Sequence, residues 1–177
     1  LMIASVAPIW DGNETWLVMG GIGMFTAFPT AFAIIFPALY VPVLAMLLGL
    51  LFRGVAFEFR ATAQSSRRHW DRAFFLGSLV ATFAQGCVLG KYVLGFDVAQ
   101  GQYRGTVWDW VHPFVLATGL GLIAGYVLLG ATWLVMKTDG PLHEWSRRMA
   151  RLALFGVLGF IGLVSVWTPL IHERIAE

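Results

Sequence analysis

From Thr15 to Phe52 the chain holds 38 consecutive residues without Asp, Glu, Lys or Arg, bounded by Glu14 and Arg53. As one helix this run would measure about 57 Å at 1.5 Å per residue, far more than a hydrocarbon core of about 30 Å requires. It therefore predicts a hairpin of two crossings, span A over 11–30 and span B over 37–57, with the turn between Phe28 and Tyr40. Pro29, Pro37 and Pro42 punctuate the run there. Phe28, Phe32, Phe36 and Tyr40 suit the membrane interface. Three further apolar stretches predict span C over 73–90, span D over 110–136 and span E over 152–171. The expected fold class is all-α: a polytopic transmembrane bundle of five spans, with residues 1–177 forming a single membrane domain.

Within the spans the polar and small residues carry the detail. Gly20, Gly21 and Gly23 on span A, Gly121 and Gly125 on span D, and Gly156, Gly159 and Gly162 on span E predict faces where helices approach closely, since small residues permit this in lipid. Ser78, Thr82 and Gln85 recur at helical spacing on span C. Such a stripe faces protein or water rather than lipid; interhelical hydrogen bonding is one reading, a water-lined path the sharper one. Arg67 and Asp71, four apart, predict a surface pair. His112-Pro113 opens span D, with proline in its first turn, and Lys91 is placed to snorkel to the interface at the end of span C.

Composition and charge agree with the pattern. Hydrophobic residues make up 58% and charged residues 12%, against about 25% charge in soluble domains, and mean hydropathy is +0.74. A net charge of +2, with its cations in loops, does not point to nucleic acid. The single cysteine, Cys87, excludes an internal disulfide. Nine of the twelve basic residues fall in two segments: Arg53, Arg60, Arg67, Arg68 and Arg72 from the end of span B to the start of span C, and Lys137, Arg147, Arg148 and Arg151 between D and E. The positive-inside rule makes those segments cytoplasmic, which puts the start of span A on the same side.

At that start lies Trp10-Asp11-Gly12-Asn13-Glu14-Thr15-Trp16, two carboxylates and an amide between two tryptophans. The Asp11–Glu14 spacing is that of a capping box, in which the later acid reaches back to the helix start. Ionisable groups at the edge of a span also mark proton and ion routes. Both readings stand on spacing alone.

Ala7-Pro8-Ile9-Trp10-Asp11-Gly12-Asn13-Glu14-Thr15-Trp16-Leu17, followed by a glycine-rich stretch and Phe25-Thr26-Ala27-Phe28-Pro29, resembles the signature of subunit II of cytochrome bd-type quinol oxidases, most like the cyanide-insensitive branch. Phe52-Arg53-Gly54-Val55-Ala56-Phe57-Glu58-Phe59-Arg60 resembles a second stretch of that family, and Gly125 to Trp133 a third. Family members are longer, so the resemblance implies a fragment lacking a first helix, which usually contributes another acid, and the C-terminal helices. It implies a complex in the bacterial inner membrane that oxidises quinol, reduces dioxygen to water and takes protons from the cytoplasm. The haem-bearing subunit I is the implied partner, holding haems b and d, with membrane lipids around the pair. No cofactor, metal or catalytic residue is expected on this chain, although a bound quinone is compatible with the family. Asp11 is the first candidate for the proton pathway and Glu14 the second, with Trp10, Asn13 and Trp16 as supporting motif residues.

The remaining chemistry is sparse. His69, His112, His143 and His172 sit in loops, a tail or a span end, so no two occupy the facing mid-membrane positions that paired axial haem ligands require. The methionines within spans suit packing. CxxC, HExxH and GxxxxGK[ST] are absent. Two other readings remain: half of a secondary transporter, in which the interrupted segment Pro29–Pro42 lines a binding site, and a purely structural assembly subunit.

Overall fold

The computed structural model describes residues 10–63 and 66–171. Among them the chain forms α1 (Trp10–Ala27), α2 (Pro29–Ala38), α3 (Tyr40–Thr62), α4 (Arg67–Leu94), β1 (Val98–Ala99), β2 (Gln102–Tyr103), α5 (Pro113–Lys137) and α6 (Pro141–Ile171). The all-α membrane bundle expected from the pattern is what forms. Four helices, α3 to α6, are long and apolar enough to cross a membrane, where the sequence predicts five spans. The difference is α1, whose first turns carry Asp11, Asn13 and Glu14. Its 18 residues reach about 27 Å at 1.5 Å each, so polarity rather than length sets it apart.

The uncharged run does fold back on itself, but through a short helix rather than a simple turn. Pro29 starts α2 at its first position, and α2 ends at Ala38. Leu39 breaks the helix with φ −106° and ψ 10°. Pro42 explains the break, because a proline ring clashes with the carbonyl four residues earlier, here Ala38. Within the first turn of α3 the missing Pro42 N–H costs nothing, since the first donors of a helix have no intrahelical acceptor. Phe25 meets Phe32 edge-to-face at 5.1 Å between centroids, and Phe32 stacks on Phe36 at 4.5 Å.

From α3 onward the helices pack in sequence order, α3 on α4, α4 on α5 and α5 on α6. Glycines make the two inner crossings possible. A Cβ on Gly49 would lie 2.7 Å from the Gly77 carbonyl oxygen, and one on Gly77 would meet that of Gly49 at the same distance. A Cβ on Gly86 would lie 2.6 Å from Gly119 Cα. There Thr118 Oγ1 donates across to the Gly86 carbonyl at 3.1 Å. The expected glycine faces are mostly elsewhere. Gly20, Gly21, Gly23, Gly125, Gly159 and Gly162 have nothing within 4 Å of an added Cβ among the described residues, while Gly121 packs on Phe160 and Gly156 on Ala124. The buried centre is correspondingly small-residued: Ala56, Ala81, Ala84 and Cys87, with Phe114, Leu39 and Val115 as its larger members.

Helix ends depart from the predicted spans for local reasons. α5 starts at Pro113 rather than Trp110, because His112 caps it, with Nδ1 accepting from the Phe114 N–H at 3.2 Å. α6 starts at Pro141, eleven residues before Leu152, and carries Glu144, Arg147, Arg148 and Arg151 on its polar opening turns. Asp71 does not pair with Arg67. It pairs with Arg60 across the α3–α4 connection, while Arg67 Nε donates to the Ala63 carbonyl at 2.7 Å.

The glycine-rich loop after α4 holds an antiparallel hairpin, Val98 opposite Tyr103 and Ala99 opposite Gln102. Gln100 and Gly101 both take positive φ, 54° and 75°, as a two-residue hairpin turn of type I′ requires. Asp109 ties the loop down, accepting from the Thr106 N–H at 3.0 Å and from the Tyr103 hydroxyl at 2.9 Å. Hydrogen bonds from Thr106 and Tyr103 hold the Asp109 carboxyl below its ordinary value. Burial, then the Asp109 hydrogen bond, push the Tyr103 phenol up to about 12.

Candidate functional site

The hairpin brings the two charges that bound the uncharged run face to face. Glu14 on α1 accepts from Arg53 on α3 at Oε1, with Nη2 at 2.6 Å and Nε at 3.2 Å. Both side chains are about three-quarters buried, at 23% and 28% exposure. A charge-assisted bond of this kind is stronger than a neutral one, and the guanidinium adds directional specificity. Arg53 thus belongs to the motif's immediate surroundings and not to a solvated loop.

Glu14 and Arg53 open on a cleft of about 600 Å³ between α1, α3, α4 and α5. Its α4 wall is the stripe Ser78, Thr82 and Gln85, and Tyr126 of α5 closes it by donating to Gln85 Oε1 at 2.8 Å. The stripe therefore serves both readings: Gln85 makes an interhelical bond, and all three side chains line the cleft.

The motif is helical from Trp10 onward, so Asp11 lies within the helix rather than at its cap. Glu14 reaches across to Arg53 instead of back to the helix start. The side chains of Trp10, Asp11 and Asn13 lie outside the described residues. Trp16 is 71% exposed and turned away from the bundle. Asp11 is three residues before Glu14, hence on the same side of α1 by helical spacing.

The described histidines lie away from this cleft. His112 is a helix cap. His143 Nδ1 lies 3.1 Å from the Val135 carbonyl and 3.2 Å from that of Thr138. His69 is exposed, and His172 lies outside the described residues. Among the described residues no three His, Cys, Asp or Glu side chains gather as a metal site would require. Two participants escaped the sequence pattern: Arg53, read there as a loop cation, and Tyr126. A hairpin folded about the midpoint of the uncharged run would have paired positions 14 and 53.

Fold and site together define a multi-pass membrane helix bundle with an ion-paired polar cleft at one end. Residues 1–176 match the family model described as cytochrome bd terminal oxidase subunit II, and the chain belongs to that family. It is 34% identical to cytochrome bd-I ubiquinol oxidase subunit 2 of Escherichia coli K12 over 174 residues, 94% of this chain and 46% of that protein. A probable cytochrome oxidase subunit 2 of Haemophilus influenzae is 31% identical over the same length, with the same coverage. The cytochrome bd ubiquinol oxidase subunit 2 of Bacillus subtilis is 29% identical over 181 residues, 98% of this chain and 54% of that protein. The chain spans about half the length of the curated relatives it matches.

Proposed function

We propose that this chain is a haem-free part of the second subunit of a respiratory quinol:oxygen oxidoreductase, where it packs against the haem-bearing subunit and helps deliver protons from the cytoplasm. The family supports the first part. The donor set supports the absence of haem, because the described histidines cap a helix, lie against backbone carbonyls or sit exposed on the first turn of α4. Haems b and d then reside on the partner, and quinol is the substrate of the complex in the bacterial inner membrane. In this reading α1 is a fifth crossing, entered from the cytoplasmic side.

The observation that carries the proton role is the Glu14–Arg53 pair opening on a polar cleft inside the family motif. Arg53 holds the Glu14 carboxylate in an ion pair that ties α1 to α3. That makes Glu14 the anchoring charge and leaves Asp11, one turn nearer the helix start, as the group that exchanges protons with the cytoplasm. Asn retains the shape and acceptor oxygen of Asp but cannot exchange a proton near neutral pH. Asp11→Asn should therefore assemble with normal haem content yet lose roughly tenfold or more of its quinol-driven oxygen consumption. Full activity in that variant would leave the structural-subunit reading standing.

Topology is a separate expectation. In the intact subunit, single cysteines at Ser66 and Thr138, which lie within the basic segments, should react with an impermeant thiol reagent only from the cytoplasm. A cysteine at Gln102, in the hairpin loop, should react only from the opposite side. The reverse pattern would invert the assignment.

A further inference from the structure

Among the described residues, three helical threonines share a habit that Ser78, Thr82 and the buried Ser146 do not follow. Thr26, Thr132 and Thr168 return their hydroxyls to the carbonyl four residues earlier, at 3.0, 2.9 and 2.7 Å, the usual way for Ser and Thr to satisfy themselves within a helix. Ser78 and Thr82 make no such bond among the described residues, and both line the cleft beside the Glu14–Arg53 pair. A polar group at membrane depth needs a partner. Here the space next to them is large enough to supply one: about 600 Å³ accommodates on the order of ten to twenty waters.

The stripe also has direction. Ser78 lies at the level of the ion pair, since its neighbour Gly77 abuts the Arg53 backbone. Gln85 is seven residues further along α4, about 10 Å at 1.5 Å per residue. Counted from Arg72, the last charge before the apolar stretch, Gln85 is about 20 Å along the axis, past the middle of a core of about 30 Å. We propose that Ser78, Thr82 and Gln85, with Tyr126 across from them, wall a water-filled inlet that carries protons from the Glu14–Arg53 pair to beyond mid-membrane. This rests on the proton role given above to the motif, and extends it inward. Each hydroxyl both donates and accepts, so it holds a water chain along which a proton enters at one end as another leaves at the other. No group on the α4 wall changes its charge at rest. The Tyr126 hydroxyl, committed to Gln85 Oε1, fixes the amide at the inner end.

The test uses the assembled complex with the buried Cys87 replaced by alanine. The thiolate, which forms only in contact with water, attacks the sulfur of methanethiosulfonate reagents and expels sulfinate. Thr82→Cys should react with a membrane-impermeant reagent added from the cytoplasmic side, whereas Val80→Cys, at similar depth on the exposed apolar side of α4, should not. Thr82→Val and Ser78→Ala should assemble with normal haem content and slow proton uptake severalfold. An unreactive Thr82→Cys would overturn the proposal by showing the cleft dry, even where Asp11→Asn blocks turnover. Unchanged uptake in Thr82→Val combined with Ser78→Ala would also overturn it. Thiol reactivity at Thr82 does not depend on whether Asp11 exchanges protons, so failure of the inlet and failure of the Asp11 role are read separately.

Discussion

Gly86→Leu is expected to abolish assembly of the subunit. The α4–α5 crossing is set by backbone touching backbone, where an added Cβ would sit 2.6 Å from Gly119 Cα and 2.8 Å from the Thr118 carbonyl oxygen. Neither atom can rotate away, so the helices must separate. Separation removes the Thr118–Gly86 bond and the contacts along the crossing, and in lipid no hydrophobic force draws the helices together again. Even Gly86→Ala should cost about 1–3 kcal/mol, the usual range for overpacking. Gly156→Ala is the matched control, since its Cβ would meet Ala124 Cβ at an ordinary 3.7 Å. Thermal dissociation of the purified complex in mild detergent measures both. An unchanged midpoint for Gly86→Ala would mean that the two helices do not cross at these glycines.

Arg53→Met is expected to be more harmful than losing the ion pair as a whole. Met keeps most of the side-chain volume but leaves the Glu14 carboxylate three-quarters buried without its counter-charge. Removing one member of a buried pair is costly because the other remains, whereas replacing both with neutral groups is often mild. With this partial exposure the coupling should fall at about 1–3 kcal/mol, between exposed and fully buried pairs. A double-mutant cycle with Glu14→Gln reads it directly. Arg53→Met alone should lower the dissociation midpoint and the yield of assembled complex. Adding Glu14→Gln should restore part of the loss. Strict additivity would mean that α1 is not held to α3 through this pair.

How far the sequence revealed this arrangement depends on what each residue had to meet. The hairpin was legible because 38 uncharged residues cannot cross once, and the apolar runs located α4, α5 and α6, although α4 and α6 extend well into the basic segments before them. The α2 helix was not legible. Three prolines mark interruption, but Pro29 opens α2, Pro37 lies inside it, and the break falls at Leu39, three residues before Pro42. Glycine spacing misled for a similar reason. Gly156, Gly159 and Gly162 form the tidier pattern, yet the close approaches use Gly49, Gly77, Gly86 and Gly119, which follow no repeat because each is matched to a residue on another helix. Arg67–Asp71 failed likewise: spacing permitted it, but Arg60 on the preceding helix competes for the same carboxylate.

The site was half visible. Asp11, Glu14 and the α4 stripe stood out as polar residues in an apolar chain, while their partners did not. Arg53 looked like one more cation in a basic segment, and Tyr126 carried no signal of its own within span D. A capping box was also a sound reading of Asp11 and Glu14 until α3 placed a guanidinium within reach of Glu14.

Proton uptake during a single turnover of the assembled complex tests the proton role most directly. With dioxygen supplied to the fully reduced complex and a pH indicator on the cytoplasmic side, Asp11→Asn should show uptake slowed by roughly tenfold or more, with haem content unchanged. Uptake at the unaltered rate, in an Asp11→Asn complex that is fully assembled, would contradict it.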